Sequence, residues 1–170
     1  TETKRSAVKE LKEVGQSLWL DNIRRQLITS GELARLRDEG LTGVTSNPTI
    51  FEKAIAGGSV YDPQVRDLAA KGLGVEAAFF ECAIDDLRRA ADHFGPIHSA
   101  TNGVDGFVSL EVSPLLANDT KATIEQAVQL HAKANRRNLY IKVPGTPEGC
   151  PAIEELIFRG IPINVTLLFS

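Results

Sequence analysis

A lysine, two carboxylates and two side-chain amides each lie in or directly after a short apolar segment of this chain. They are Asp21, Asn47, Glu111, Lys142 and Asn164. A neutral lysine amine is a nucleophile toward carbonyl carbon, and burial favours the neutral form of an unpaired lysine. Two carboxylates beside it could move protons, one remaining charged and the other partly protonated. These residue types indicate covalent chemistry on a carbonyl substrate, if the fold brings them together.

Five short apolar segments bounded by turn signals predict five β-strands, and stretches of helical periodicity lie between them. The predicted strands are residues 17–21, 43–46, 106–111, 139–143 and 161–168. The predicted helices are residues 7–14, 23–27, 31–40, 120–135 and 146–158, with several more between residues 49 and 106, of which one covers residues 75–94. Alternating strands and helices predict right-handed βαβ units, and hence an α/β fold with a parallel sheet.

The length of the chain limits how much of a barrel it can form. A (β/α)8 barrel takes about 250 residues, whereas this chain has 170. We therefore expect a single domain over residues 1–170 that is the N-terminal helix and about five βα units of such a barrel. We also expect the chain to be a fragment whose C-terminal part is absent.

Strand alternation predicts which side chains face the barrel interior, because positions two apart share a face. In the fourth strand, Leu139, Ile141 and Val143 would face the helices, and Tyr140 and Lys142 the interior. The same rule places six further polar side chains on the inner face, at strand ends: Asp21, Thr45, Asn47, Glu111, Asn164 and Thr166. Active sites of parallel barrels lie at this C-terminal end of the strands.

The residues alone leave structural alternatives open. Lys142 could extend to solvent from a strand end, and Asp21 could be the N-cap of the helix that follows it. Glu111 could form a structural ion pair with Lys142. Asn47 could serve only the turn at Pro48.

Composition excludes several classes of function. The chain has 19 Lys and Arg against 22 Asp and Glu, so no basic excess indicates nucleic acid or an anionic membrane surface as a partner. Its two cysteines, Cys82 and Cys150, are far apart and no metal-ligand spacing occurs, so we expect neither a disulfide framework nor a metal site. No apolar run approaches a membrane span and the first residues lack a secretory pattern, so we expect a cytoplasmic protein.

Five motifs of the sequence resemble those of transaldolases, in the same order and over essentially the whole chain. They are LWLDNI, GVTSNPTIF, VSLEVSP, YIKVPGTPEG and PINVTLLFS. The similarity is greatest to the bacterial subgroup that includes transaldolases fused to phosphoglucose isomerase. The resemblance implies a TIM barrel of the class I, Schiff-base-forming aldolase type.

The resemblance also implies a role for each matching residue. Lys142 would form a Schiff base with the C2 carbonyl of a ketose phosphate, and Asp21 would take the C4 hydroxyl proton as the C3–C4 bond breaks. Glu111 would act through a water held partly by Thr166. Three residues would contact the bound three-carbon unit or line the same floor: Asn47, Asn164 and Thr45.

The implied activity is transfer of a dihydroxyacetone unit in the pentose phosphate pathway, with no cofactor. The donor would be sedoheptulose 7-phosphate or fructose 6-phosphate, and the acceptor glyceraldehyde 3-phosphate or erythrose 4-phosphate. Two alternatives are a class I fructose-6-phosphate aldolase, which is a lyase, and a non-catalytic fragment that associates with its complementary half or with another copy.

The residues that bind the substrate phosphate are expected beyond Ser170, because in the family they follow the last motif. Five arginines of this chain are instead expected to carry solvated charges in helices or loops: Arg24, Arg25, Arg136, Arg137 and Arg159.

Overall fold

A computed structural model of the chain describes residues 7–168. The strands are β1 (Trp19–Asp21), β2 (Gly43–Thr45), β3 (Phe107–Glu111), β4 (Leu139–Pro144) and β5 (Ile163–Thr166). The α-helices are α1 (Ala7–Glu13), α2 (Arg25–Thr29), α3 (Glu32–Asp38), α4 (Pro48–Ala56), α5 (Asp62–Ala70), α6 (Val75–Ala100), α7 (Thr120–Ala134) and α8 (Gly149–Phe158).

The five strands form one parallel sheet in the order β1-β2-β3-β4-β5, so each strand pairs with its neighbours along the chain. Each connection between strands carries at least one helix. This confirms the predicted α/β fold with a parallel sheet, consistent with part of a TIM barrel. Among the described residues, β1 and β5 each have a strand on one side only.

The sheet curves toward the face that carries the polar side chains. Neighbouring strands lie about 4.8 Å apart, so β1 and β4 would be about 14 Å apart in a flat sheet. Yet the rings of Trp19 on β1 and Tyr140 on β4 stack with centroids 6.2 Å apart. Phe107 on β3 stacks on Tyr140 at 4.1 Å. These three rings form an aromatic floor on the inner face, below the strand ends.

Gly43 on β2 leaves the space that this floor needs. It is in register with Trp19 on one side and Phe107 on the other. A Cβ atom at Gly43 would lie 2.5 Å from the Trp19 ring and 2.8 Å from the Phe107 carbonyl oxygen. Only glycine therefore fits at this position without a shift of its neighbours.

The outer face of the sheet packs against the helices and forms the hydrophobic core. Leu139, Ile141 and Val143 of β4 are fully buried there, as their alternation predicted. The 26-residue helix α6 contributes Leu87 and Phe94 to the same core. No helix within residues 7–168 is long and apolar enough to cross a membrane.

Several element bounds differ from the predictions. Helix α6 continues six residues past the predicted end at Phe94, although Pro96 lies inside it. Helix α8 begins at Gly149 rather than at residue 146, because Thr146 first forms a turn in which its hydroxyl accepts the Gly149 N–H at 2.9 Å. Strand β5 ends at Thr166, since Leu167 has a φ of 62° and leaves the extended conformation.

Candidate active site

Lys142 lies near the end of β4 with its amine on the curved inner face of the sheet. Its Nζ lies 3.2 Å from Glu111 Oε2 and donates to the backbone oxygen of Ser46 at 2.8 Å. Its side chain is 12% exposed and that of Glu111 is 22% exposed. The alternative in which Lys142 extends into solvent is therefore wrong, whereas the ion pair with Glu111 exists.

Register explains why Lys142 and Glu111 meet. The two residues are Cα partners in the parallel ladder between β3 and β4, and partners in a parallel ladder point to the same face. Asn164 is the partner of Lys142 on β5, on the other side of β4. The amine is thus flanked by a carboxylate-bearing strand and an amide-bearing strand.

A pocket of about 520 Å³ opens beside Glu111 at the C-terminal ends of the strands. Asp21 from the end of β1 and Asn47 from the end of β2 line it, together with Lys53 of α4. Asp21 is exposed to this space. Three of the predicted residues, at or just after the ends of three different strands, therefore face one pocket whose volume is in the range of small-molecule sites.

Asn47 has a structural role as well as a place in the pocket. It is the N-cap of α4, and its side-chain oxygen accepts the Ile50 N–H at 3.0 Å. Pro48 fills the first turn of that helix, as predicted. Asp21 is not a helix cap, because the N-cap of α2 is Arg24, three residues later. The N-cap alternative for Asp21 is wrong.

The remaining two predicted residues lie on either side of the Lys142 strand. The Thr45 hydroxyl oxygen accepts a hydrogen bond from the Ser109 hydroxyl at 2.9 Å, which links β2 to β3 beneath the site. Thr166 is the register partner of Pro144, two residues beyond Lys142. Its hydroxyl oxygen is buried and has no hydrogen-bond partner within residues 7–168, so it is free to hold a water or a ligand atom.

Ser46 belongs to the site although its position in the strand did not predict it. Its backbone oxygen holds the Lys142 amine, and its buried hydroxyl donates to the Ser109 backbone oxygen at 2.8 Å. That second bond joins β2 to β3 just past their last ladder pair, Val44 and Val108. The sequence signal would have been a small polar residue directly before the cap of α4.

One of the five arginines predicted to be solvated is buried. Arg25 is 8% exposed and bonds to the fully buried Asp86 of α6. The partner lies 61 residues away along the chain, so no local pattern could reveal the pair. Arg136 is paired with Asp92 at 2.6 Å near the protein surface.

Two carboxylates and one amide, from Asp21, Glu111 and Asn47, line the pocket. The Lys142 amine lies beside Glu111, and Asn164 is the register partner of Lys142 on β5. An amine next to a carboxylate can form and hydrolyse an imine, and a second carboxylate can act as a base on a substrate hydroxyl. Across residues 7–168, no three His, Cys, Asp or Glu side chains group so as to hold a metal ion.

Comparison with known proteins identifies the family of the chain. A sequence profile of the Transaldolase/Fructose-6-phosphate aldolase family matches residues 18–170. A transaldolase of Thermobifida fusca is 50% identical over 166 residues, which are 97% of this chain and 45% of that protein. A transaldolase of Neisseria gonorrhoeae is 47% identical over 161 residues, or 95% of this chain and 46% of that protein.

A protein named Transaldolase 2 from Nostoc punctiforme is 45% identical over 162 residues, which are 95% of this chain and 42% of that protein. The chain thus spans less than half the length of these curated relatives. Its profile match nevertheless begins just before β1 and continues to the last residue. The chain belongs to the transaldolase/fructose-6-phosphate aldolase family.

Proposed function

We propose that the protein carrying this chain is a transaldolase. It would move a dihydroxyacetone unit from sedoheptulose 7-phosphate or fructose 6-phosphate to glyceraldehyde 3-phosphate or erythrose 4-phosphate. The observation that carries the proposal is the Lys142 amine, largely buried on the inner face and 3.2 Å from Glu111, beside a pocket lined by Asp21. Family membership supports it independently.

The first step is formation of an imine. Lys142 gives a proton to Glu111, the amine attacks C2 of the ketose, and the C2 oxygen leaves as water after further proton transfers. Glu111 is close enough to Nζ to give and take these protons. A water bound at the unpartnered Thr166 hydroxyl would connect Glu111 to the C2 oxygen.

Cleavage of the C3–C4 bond follows. Asp21 takes the proton of the C4 hydroxyl, C4 becomes an aldehyde carbon, and the C3–C4 electron pair moves to the protonated imine nitrogen. An aldose phosphate leaves, and a three-carbon enamine stays on Lys142. Asn47, which lines the pocket, and Asn164, the register partner of Lys142, would hold the hydroxyls of this unit.

Transfer reverses the cleavage with a different aldehyde. C3 of the enamine attacks the carbonyl carbon of the acceptor, and Asp21 returns its proton to the new C4 oxygen. Water then hydrolyses the imine, which releases the new ketose phosphate and restores the Lys142 amine. No net oxidation or reduction occurs, and the residues named here account for each proton.

The proposal also covers the domain to which the chain belongs and the pathway and compartment of the reaction. We propose that residues 1–170 are the N-terminal part of a single barrel domain, because the curated relatives are more than twice as long and β5 has one free side among the described strands. The strands that complete the barrel would come from a C-terminal part or another copy. The reaction would serve the pentose phosphate pathway in the cytoplasm.

The test is borohydride trapping in the full-length protein. With fructose 6-phosphate, reduction should leave a three-carbon adduct on Lys142, located by peptide mass spectrometry. Lys142→Ala should lose the adduct and turnover by many orders of magnitude. Lys133→Ala is the matched control, because Lys133 is a half-exposed lysine of α7 paired with Glu81, and it should keep both. A wild-type protein without the adduct would refute the proposal.

Asp21→Ala should behave differently from Lys142→Ala. It keeps the amine but removes the base for cleavage, a role worth about 10²–10⁴-fold. The imine with intact ketose should accumulate, so the trapped adduct should have six carbons instead of three. If Asp21→Ala forms no adduct at all, Asp21 does not have the proposed role.

Product analysis separates the transferase from the lyase. A transaldolase converts fructose 6-phosphate quickly only when an acceptor such as erythrose 4-phosphate is present, and it then forms sedoheptulose 7-phosphate. A fructose-6-phosphate aldolase releases free dihydroxyacetone without an acceptor. Acceptor-independent release at the full rate would assign the lyase activity instead.

A further inference from the structure

Arg25, Tyr61 and Asp86 form a buried hydrogen-bonded cluster behind the candidate active site. The Asp86 carboxylate accepts from Arg25 Nε at 2.7 Å and from the Tyr61 hydroxyl at 2.6 Å. The Tyr61 hydroxyl oxygen in turn accepts the backbone N–H of Arg25 at 2.8 Å. The guanidinium also lies over the Tyr61 ring, 4.5 Å from its centroid.

The protonation states in this cluster are fixed by burial and by the pairing. Burial raises the pKa of the Tyr61 phenol, and the hydrogen bond to Asp86 raises it further, so Tyr61 remains a donor. Burial opposes the charge of Arg25, but the hydrogen bond and charge of Asp86 leave its pKa above the ordinary value. The positive charge of Arg25 therefore persists beside Asp86, whose own pKa is raised by burial and held down in part by the hydrogen bonds from Tyr61 and Arg25.

A buried ion pair of this kind is weak evidence for stability. Replacing a buried ion pair with apolar residues is often neutral or stabilising, because desolvation offsets the attraction. The hydrogen bonds of the cluster do restrict the relative orientation of the segments that they join, since each bond fixes one donor against one acceptor. The question is therefore which parts of the chain it aligns.

The cluster joins the segments that follow the first two strands. Arg25 begins α2, four residues after Asp21, and the fully buried Ile23 lies between them. Tyr61 ends the short 3-10 turn Ser59–Tyr61 that follows α4, the helix capped by Asn47. Both segments are bonded to the same carboxylate on the long helix α6.

We propose that Arg25, Tyr61 and Asp86 are positioning residues that hold the Asp21 carboxylate where it can reach the C4 hydroxyl. This inference rests on the proposed function. The connection from β1 to α2 is short and is fixed at one end by its register with β2 and at the other by the cluster. Loosening the second end moves Asp21, while Lys142 on β4 keeps its place.

The two halves of the reaction should therefore respond differently. Imine formation depends on Lys142 and Glu111, which the cluster does not touch. Cleavage depends on the placement of Asp21, and a misplacement of about 1 Å can cost about 10²-fold. A weakened cluster should thus slow cleavage and leave imine formation intact.

The experiment is Tyr61→Phe in the full-length protein, which removes one hydroxyl that both donates to Asp86 and accepts from Arg25. We expect kcat to fall by about 10- to 100-fold with KM nearly unchanged. Borohydride trapping with fructose 6-phosphate should show a higher ratio of six-carbon to three-carbon adduct on Lys142. A purely structural role would lower the total adduct but leave this ratio unchanged.

Two control variants isolate the effect. Asp92→Asn breaks another Arg–Asp pair of α6, to Arg136, away from both segments. Leu156→Ala makes a cavity at a fully buried position of α8 and lowers stability without touching the cluster. Both should keep the wild-type adduct ratio.

The outcomes separate this inference from the function on which it rests. No adduct on wild-type Lys142 overturns the proposed function. A wild-type adduct with an unchanged ratio in folded Tyr61→Phe overturns only the positioning role. If Tyr61→Phe does not fold, Arg25→Lys replaces it, because that change keeps the charge beside Asp86 and loses the Nε hydrogen bond. A raised ratio of six-carbon to three-carbon adduct in Arg25→Lys then supports the positioning role, and an unchanged ratio overturns it.

Discussion

Adding a single methyl group at Gly43 should disturb the aromatic floor and the strand that carries Asp21. The new Cβ would lie 2.5 Å from Trp19 Cε2, 2.6 Å from Trp19 Cδ2 and 2.8 Å from the Phe107 carbonyl oxygen. Ordinary carbon contacts are about 3.5–4.0 Å, so each neighbour must move by about 1 Å. One of them is backbone and cannot rotate away.

The expected cost follows from two opposing effects. Overpacking of this kind costs about 1–3 kcal/mol, and the lower chain entropy of unfolded alanine returns about 0.4–1 kcal/mol. Gly43→Ala should therefore destabilise the protein by about 1–2 kcal/mol. A single domain of about twice this chain's length has an unfolding entropy that converts each kcal/mol into about 1–1.5 °C, so Tm should fall by about 1–3 °C.

The assay is thermal unfolding of the full-length protein, with Gly58→Ala as the matched control. Gly58 has an extended φ of −177°, and a Cβ there would meet nothing within 4 Å. Its replacement should leave Tm unchanged or slightly higher. Trp19→Phe should recover part of the loss in the Gly43→Ala background, since the smaller ring vacates space. Equal Tm values for the two alanine variants would refute the reasoning.

Two further predictions concern polar groups of the core and one helix. Asn138→Ala should lower the free energy of unfolding by about 2 kcal/mol, because the Asn138 side-chain amide donates to the backbone oxygens of Ala91 and Gly106 at 2.8 Å each. Urea unfolding measures this change, and an unchanged midpoint would contradict it. Burial lowers the pKa of His131, so the unfolded chain binds the proton more readily and stability should fall as pH drops below about 6.5. In urea titrations between pH 7.5 and 5.5, His131→Gln should reduce that fall, and an identical pH dependence would exclude His131 as its source.

Local alternation was sufficient to predict the inner face of the sheet. Lys142 and Glu111 meet because both have the parity of their strands' inward positions, and the ladder then places them side by side. That information is contained in a few consecutive residues. The contacts that curve the sheet cannot be read from such short segments, because they depend on how Trp19, Gly43 and Tyr140 pack across four strands.

The features that the sequence did not predict depend on partners far along the chain or on backbone atoms. Arginine is a residue type typical of exposed helix positions, and the burial of Arg25 depends on its pairing with Asp86 on α6. Ser46 acts on Lys142 through its backbone oxygen, which every residue possesses. The end of α6 was predicted too early because Pro96 removes only one helical hydrogen bond, and the packing of Phe94 and the residues around it supports the helix past that point.

The sequential strand order has a consequence for how the protein is made on the ribosome. Each strand pairs with the one synthesised just before it, so the sheet can grow by addition at one edge as the chain emerges. At about 5–20 residues per second, Glu111 leaves the ribosome a few seconds before Lys142. The strand with the amine then docks beside a carboxylate that is already in place. If the sheet forms in the order of synthesis, Lys142 would therefore pair with Glu111 as soon as its strand joins the edge of the sheet.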